Sequence, residues 1–169
     1  MWDEGSGVSE LVRVEPIALL PTQAGCAVFL GDGQKSIVFY IDPSIGASIN
    51  AVLSGSKPPR PLTHDLFSQS LQAFGAVIKR AVIVKREGEI FYARLFITAE
   101  NEIMEKKIVE LDARPSDCIA LAVRHNAPIF VLPEVWSGLE DMSGVLNDLR
   151  SQEDPPSGFG VWKDRLPGR

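Results

Sequence analysis

The sequence predicts an α+β domain: one compact unit with a mixed, largely antiparallel sheet and helices laid on it. Three observations lead there. Short runs rich in Val, Ile and Phe are separated by Gly/Asp turns, which is strand-and-hairpin grammar. Two groups of such runs are each followed by a helical pattern opened by proline. Residues 37–53 and 107–123 also echo each other at an offset of 70, both reading strand, Asp, Pro and helix, which suggests a duplicated strand–helix motif. Size and composition fit this class. The chain has 169 residues, 45% apolar and 23% charged, enough to bury a core without disulfides or metal.

Taken in order, residues 1–8 are acidic and glycine-bearing, and read as a flexible lead-in without the pattern of a secretory signal. Residues 9–20 read as a strand. Pro16 has no N–H to donate, so this strand is expected at an edge or bent. Residues 26–30 and 36–41 form a hairpin across Gly31-Asp32-Gly33. Ile45, Ile49, Val52 and Leu53 then fall on one helical face. The stretch 54–62 has Pro58, Pro59 and Pro61, and is stiff and extended. Thr63 is a natural N-cap for a helix whose apolar face is Leu66, Phe67, Leu71 and Phe74, stopping at Gly75.

Strands follow at 77–84 and 90–98, turning at Glu87-Gly88. A polar loop spans 99–106, and a strand runs from Lys107 to Leu111. Pro115 and Ser116 open a helix that reaches about His125, with Cys118, Ile119, Ala120 and Val123 on the core side. Asn126-Ala127-Pro128 ends it, and 129–131 is a short strand. Weaker helical patterns occupy 134–150. The last nineteen residues read as loose, anchored by Phe159 and Trp162. The expected division is 1–8, a domain at 9–136, and an extension at 137–169.

Composition excludes several functions. No apolar run is long enough for a membrane-spanning helix. Lys plus Arg is 17 against 22 Asp plus Glu, a net charge of −5, which argues against an avid nucleic-acid binder but not against an enzyme that meets nucleic acid through a local patch. Cys26 and Cys118 sit in apolar sequence and read as reduced thiols of a cytoplasmic protein. They cannot supply, with His64 and His125, a structural zinc site. No phosphate-binding glycine loop occurs.

Two polar constellations remain. In the first, Arg60 leads rigidly into Thr63, His64 and Asp65 at a helix start, where free N–H groups and the dipole favour anions. His64 could serve as acid or base and Asp65 could orient it, or Thr63 and Asp65 simply cap the helix. In the second, Asp112-Ala113-Arg114-Pro115-Ser116-Asp117 repeats the arrangement. Asp112 and Asp117 could ligate Mg²⁺ or Mn²⁺, with no organic cofactor called for, and Arg114 could clamp a phosphate. Alternatively an internal Arg114–Asp pair fixes the corner. The two Arg-Pro corners are expected to converge, bringing Arg60, His64, Asp112, Arg114 and Asp117 into one cleft. Arg114 is expected to be mainly structural, because the helix after it is so apolar. Lys79, Arg80, Lys85, Arg86 and Arg94 form either a basic binding surface or a solvated face.

The motifs Pro-Arg-Pro-Leu-Thr-His-Asp-Leu (59–66), Phe-Tyr-Ala (91–93), Asp-Ala-Arg-Pro-Ser-Asp-Cys-Ile-Ala-Leu-Ala-Val-Arg (112–124) and Ala-Pro-Ile-Phe-Val (127–131) resemble the bifunctional nuclease family, over roughly residues 9–136. The resemblance implies a compact α+β domain that cleaves DNA and RNA, and an oligomer, commonly a dimer. The sequence departs from the family at Ile41-Asp42-Pro43-Ser44-Ile45, where the family runs Ile-Gly-Pro with a Glu two residues on. Asp42 replaces the Gly and Ile45 the Glu. Asp42 could compensate from one turn away, or the chain could bind without turnover. The reading is thus a phosphodiester-cleaving nuclease, or an anion-binding module of the same fold. A homodimer is expected because the Pro16 strand and strand 129–131 should not both be central, and because Phe159 and Trp162 need cover.

Overall fold

The structure, a computed structural model, describes residues 10–100 and 102–161. It confirms the α+β class. Strands β1 (Val12–Thr22), β2 (Gly25–Gly31) and β3 (Ser36–Ile41) form an antiparallel meander, followed by helix α1 (Pro43–Leu53). After α2 (Thr63–Ala73), the strands β4 (Ala76–Glu87), β5 (Ile90–Glu100) and β6 (Lys106–Ala113) form a second meander, followed by α3 (Pro115–Arg124). Then come β7 (Ile129–Val131), α4 (Pro133–Ser137), α5 (Ser143–Ser151) and β8 (Gly160–Val161).

The sheet order is β3-β2-β1-β7-β4-β5-β6, with β8 pairing β1. The short β7 is the seam, antiparallel to β1 and parallel to β4. This corrects the edge-strand expectation: β1 and β7 are both central. Pro16, opposite Leu30, sits where the β1–β2 register shifts, between Pro16 and Ala18, an irregularity of the kind at which a central strand admits proline.

The duplication is larger than the sequence echo. Each half is three strands and a helix, and β3 and β6 are the two edges of the sheet. The helices are in phase at 72 residues, Pro43 matching Pro115, because the strand before α3 runs further. Asp42 and Arg114 are therefore the equivalent positions. Both are N-caps with extended backbone, as residues before proline must be.

One sheet face carries the main core. Val28, Leu30, Ile37, Phe39, Ile78, Leu95 and Ile97 pack against Ile45 and Ile49 of α1 and Ile119 and Ala120 of α3. Helix α1 approaches so closely that a Cβ at Gly46 would lie 2.7 Å from Cys26 Sγ. On the other face, Leu146 of α5, with Met142, Leu149 and Phe159, covers Ala18, Ala27 and Phe29. Phe159 thus has its cover, while Trp162 lies outside the described residues. Cys26 and Cys118 are free and buried. No helix among the described residues is long and apolar enough to cross a membrane.

Helix α2 departs from its expected amphipathicity. Leu71 packs on the core, but Leu66, Phe67 and Phe74 are exposed. The face turned inward is His64, Ser68 and Leu71, spaced four and three residues apart. Thr63 is the first helical residue and not the cap. The backbone N–H of Leu62 donates instead to Asp65 Oδ2 at 2.9 Å.

Candidate functional site

Three helix starts meet on the core-facing side of the sheet. Helix α3 packs against both α1 and α2. At the centre is Asp117, in the first turn of α3. Its Oδ1 accepts from His64 Nε2 at 2.9 Å, and its Oδ2 from Arg114 Nε at 2.8 Å. Arg114 also reaches across to Asp42 Oδ2 at 3.5 Å, so the two equivalent N-caps, one acidic and one basic, face each other. Burial alone would push the Asp117 carboxyl up; the hydrogen bonds and charges of Arg114 and His64 outweigh it and hold it below the usual carboxylate value.

Deeper in, a second guanidinium ties the same three helices. Arg124 is only 6% exposed. Its Nε donates to Asp65 Oδ1 at 2.7 Å and its Nη2 to Ser48 Oγ at 2.7 Å, while Nη1 donates to the carbonyl of Ala120 at 2.8 Å. Ser48 Oγ also lies 3.3 Å from His64 Nδ1, so both ring nitrogens of His64 are engaged. The His64 side chain is 14% exposed and stands between Ser48 and Asp117. Burial would raise Asp65, but the Leu62 N–H and Arg124 together depress it.

The sequence-expected residues separate accordingly. His64, Arg114 and Asp117 are brought together, with Asp65 one link away through Arg124. Asp112 is not: it turns to the opposite sheet face and pairs with Arg94 of β5. The alternation that should have kept it beside Arg114 ends at Ala113, where the chain leaves the strand. Arg60 is exposed on the proline segment and Thr63 is exposed at the start of α2; Arg60 makes no hydrogen bond or ion pair with the cluster. Ser116 is buried beneath the α3 start.

Arg114 is 63% exposed and bridges Asp117 and Asp42. The buried structural arginine of the motif is Arg124. Its signal was present in the sequence, since Asp117 and Arg124 lie seven residues apart and share a helix face. Among the described residues no group of three or more His, Cys, Asp or Glu side chains is placed to hold a metal ion. Asp112 and Asp117 are paired with different arginines, Arg94 and Arg114.

The basic strand surface is largely neutralised. Lys85 pairs with Glu87, Arg86 with Glu89, and Arg94 with Glu110 and Asp112. Arg80 lies over the Phe96 ring.

Comparison with known proteins decides the lineage. The family model described as the bifunctional nuclease domain matches residues 28–141, which include every member of the cluster. The chain belongs to the bifunctional nuclease domain family. An uncharacterized protein of Mycobacterium tuberculosis is 37% identical over 100 residues, covering 59% of this chain and 56% of the relative. The protein named Bifunctional nuclease 1 of Arabidopsis thaliana is 30% identical over 81 residues, 48% of this chain and 24% of that one. Its namesake in Oryza sativa subsp. japonica is 27% identical over 95 residues, 56% and 28%. The chain thus spans about half the length of the mycobacterial relative and about a quarter of the plant ones.

Proposed function

We propose that the chain is a nuclease that hydrolyses phosphodiester bonds of DNA and RNA with little sequence preference, at the start of α3. The carrying observation is Arg114: an exposed guanidinium fork at the N-cap of a helix, held between Asp42 and Asp117 inside the family-matched stretch. A phosphate diester offers such a fork two oxygens. It also meets the unpaired N–H groups at the helix start. Contacts of this kind read backbone and not bases, which suits low sequence preference. In this reading water attacks phosphorus and the exposed carboxylate of Asp42 takes its proton. The ester P–O bond breaks and the leaving oxygen is protonated from solvent.

No step is routed through a metal. A Mg²⁺ or Mn²⁺ requirement is part of the same test: protein freed of contaminating nuclease, incubated with single-stranded DNA and RNA in Mg²⁺, Mn²⁺ or EDTA. Cleavage of both polymers, lost in Arg114→Ala, is the expected result. Absence of cleavage under every condition contradicts it.

A second reading has its own observation. Ile45, where the family resemblance expects Glu, is buried in the core at 6% exposure, so this helix start offers no carboxylate in its first turn. The chain would then hold nucleic acid without turnover, and binding without cleavage is its signature.

Two further parts of the proposal concern setting. The exposed stripe of Leu66, Phe67 and Phe74 on α2 supports a homodimer that covers it. Light scattering at tens of micromolar, an order-of-magnitude working range, should give twice the monomer mass. The free, buried thiols support a cytoplasmic location, which cell fractionation tests.

A further inference from the structure

A groove of about 360 Å³ opens beside Arg114, where the β3–α1 junction faces the turn that joins β4 to β5. The donors of Arg114 are already divided. Its Nε side serves Asp117, with Nε at 2.8 Å and Nη2 at 3.4 Å, while Nη1 lies 3.5 Å from Asp42 Oδ2. A guanidinium has more N–H groups than these contacts use, so its exposed end remains for a ligand. The start of α3 beside it has no capping side chain.

Negative charge outweighs positive charge at this groove. Arg114 is the only cationic side chain lining it among the described residues, whereas Asp42 and Glu89 both line it. Asp117 adds a third carboxylate through its bond to Arg114. Arg86 stands outside the groove and reaches Glu89 only at 3.8 Å. One negative charge on a ligand can settle on the guanidinium, but a second meets the carboxylates. A guanidinium without such neighbours has the opposite preference, since its attraction grows with the charge of the ligand.

We infer that Asp42 and Glu89 make this groove selective for a singly charged phosphodiester over a doubly charged phosphomonoester. The inference rests on the nuclease reading above and deepens it by naming the charge state that the site accepts. Hydrolysis adds water across one P–O bond. A diester with one negative charge becomes a monoester and an alcohol, and above the second pKa of the monoester, near 6, a proton is released and the phosphate carries about two charges. The groove therefore holds its substrate better than its phosphate-bearing product, and the carboxylates favour release. Internal linkages are good ligands and phosphate-bearing chain ends are poor ones.

The test is competition on the full chain in EDTA, at low salt and about pH 8, where the monoester is doubly charged. A labelled oligothymidylate without terminal phosphate is displaced by thymidine 5′-phosphate or by its methyl ester, which carries one charge less. The methyl ester should displace the strand at roughly three-fold or more lower concentration, the scale of one like-charge contact near the surface. Asp42→Asn should reverse that order. Glu89→Gln should move it the same way by only about two-fold, because the Glu89 side chain is almost fully exposed and acts through solvent. Both residues are exposed, so both variants should keep the wild-type melt. A monoester that displaces the strand as well as its methyl ester does, an order unchanged in both variants, or a bound strand that neither compound displaces overturns this inference and leaves the nuclease reading standing. A strand that does not bind at all overturns both.

Discussion

The two halves of the sheet share one plan and use it differently. Both run three antiparallel strands into a proline-started helix, and in both the residue before that proline is extended. At matched positions α1 has Asp42, Ile45 and Val52, whereas α3 has Arg114, Asp117 and Arg124. At these positions the first helix puts Ile45 in the core. The second puts Asp117 and Arg124 in a polar network that binds α1 and α2 to itself. The outer faces differ too. The first meander is covered by α5, while the second carries an ion-paired surface of Arg94, Glu110 and Asp112. Each copy thus contributes one exposed charge, Asp42 or Arg114, while the buried clamp of Arg124 belongs to the second, a supporting arrangement of the kind a preorganised site needs.

Arg124 should be the most damaging place to disturb this division. Arg124→Ala strands Asp65 and Ser48 in a poorly solvated pocket and should cost about 3–5 kcal/mol of stability, as removal of one partner of a buried ion pair does. Thermal and urea melts read it directly, and a loss below 1 kcal/mol would show that the three helix starts are not held by this clamp.

Making the first helix resemble the second should cost somewhat less. Ile45→Glu places a carboxyl among core residues and should destabilise by about 2–4 kcal/mol. If the missing family Glu is what limits turnover, the same variant gains cleavage despite its lower stability. Unchanged cleavage would separate Ile45 from the chemistry.

Arg114→Ala should barely move the melt. The side chain is mostly exposed, and exposed pairs contribute roughly 0–1 kcal/mol. A loss as large as that of Arg124→Ala would return Arg114 to a structural role and erase the contrast between the two arginines.

The smallest effects should come with pH. His125, hydrogen-bonded to Ser68 Oγ at 3.1 Å, has its pKa lowered by burial and by Arg124. Its folded value lies below the unfolded one, so its contribution is full above the ordinary value of 6.5 and is lost as pH falls through the folded value. Asp65 and Asp117 are depressed as well, and their contributions disappear below the ordinary 3.8. Urea midpoints should therefore sag in two stages on acidification, the first absent in His125→Gln. A first stage that survives in that variant would assign it elsewhere.

Much of this was legible in the chain. Strand runs, glycine turns and proline starts are local signals, and they located the two meanders and α1, α2 and α3. The neighbours of each strand were not local. Pro16 marked a bend, but only the β1–β2 register shift shows how a central strand accommodates it. The α2 stripe misled because Leu66, Phe67 and Phe74 satisfy helical spacing, while the inward face is set by His64 and Ser68, which bond to Asp117 of α3 and to His125 just after it. At the site, motif spacing brought out His64, Arg114 and Asp117. It could not tell the exposed arginine from the buried one, because burial depends on how far each lies along α3 from the open helix start.

The central claim is that Arg114, on the second copy, is the phosphate clamp. Its direct test is equilibrium binding of a labelled single strand to wild type, Arg114→Ala and Arg114→Lys, in EDTA at several salt concentrations. Arg114→Ala should lose about 1.5–3 kcal/mol of binding with little change in its melt, the worth of a charge-assisted hydrogen bond. Arg114→Lys should recover only part of it, since the charge remains but the fork is gone. Wild-type affinity and salt dependence in Arg114→Ala would contradict the account.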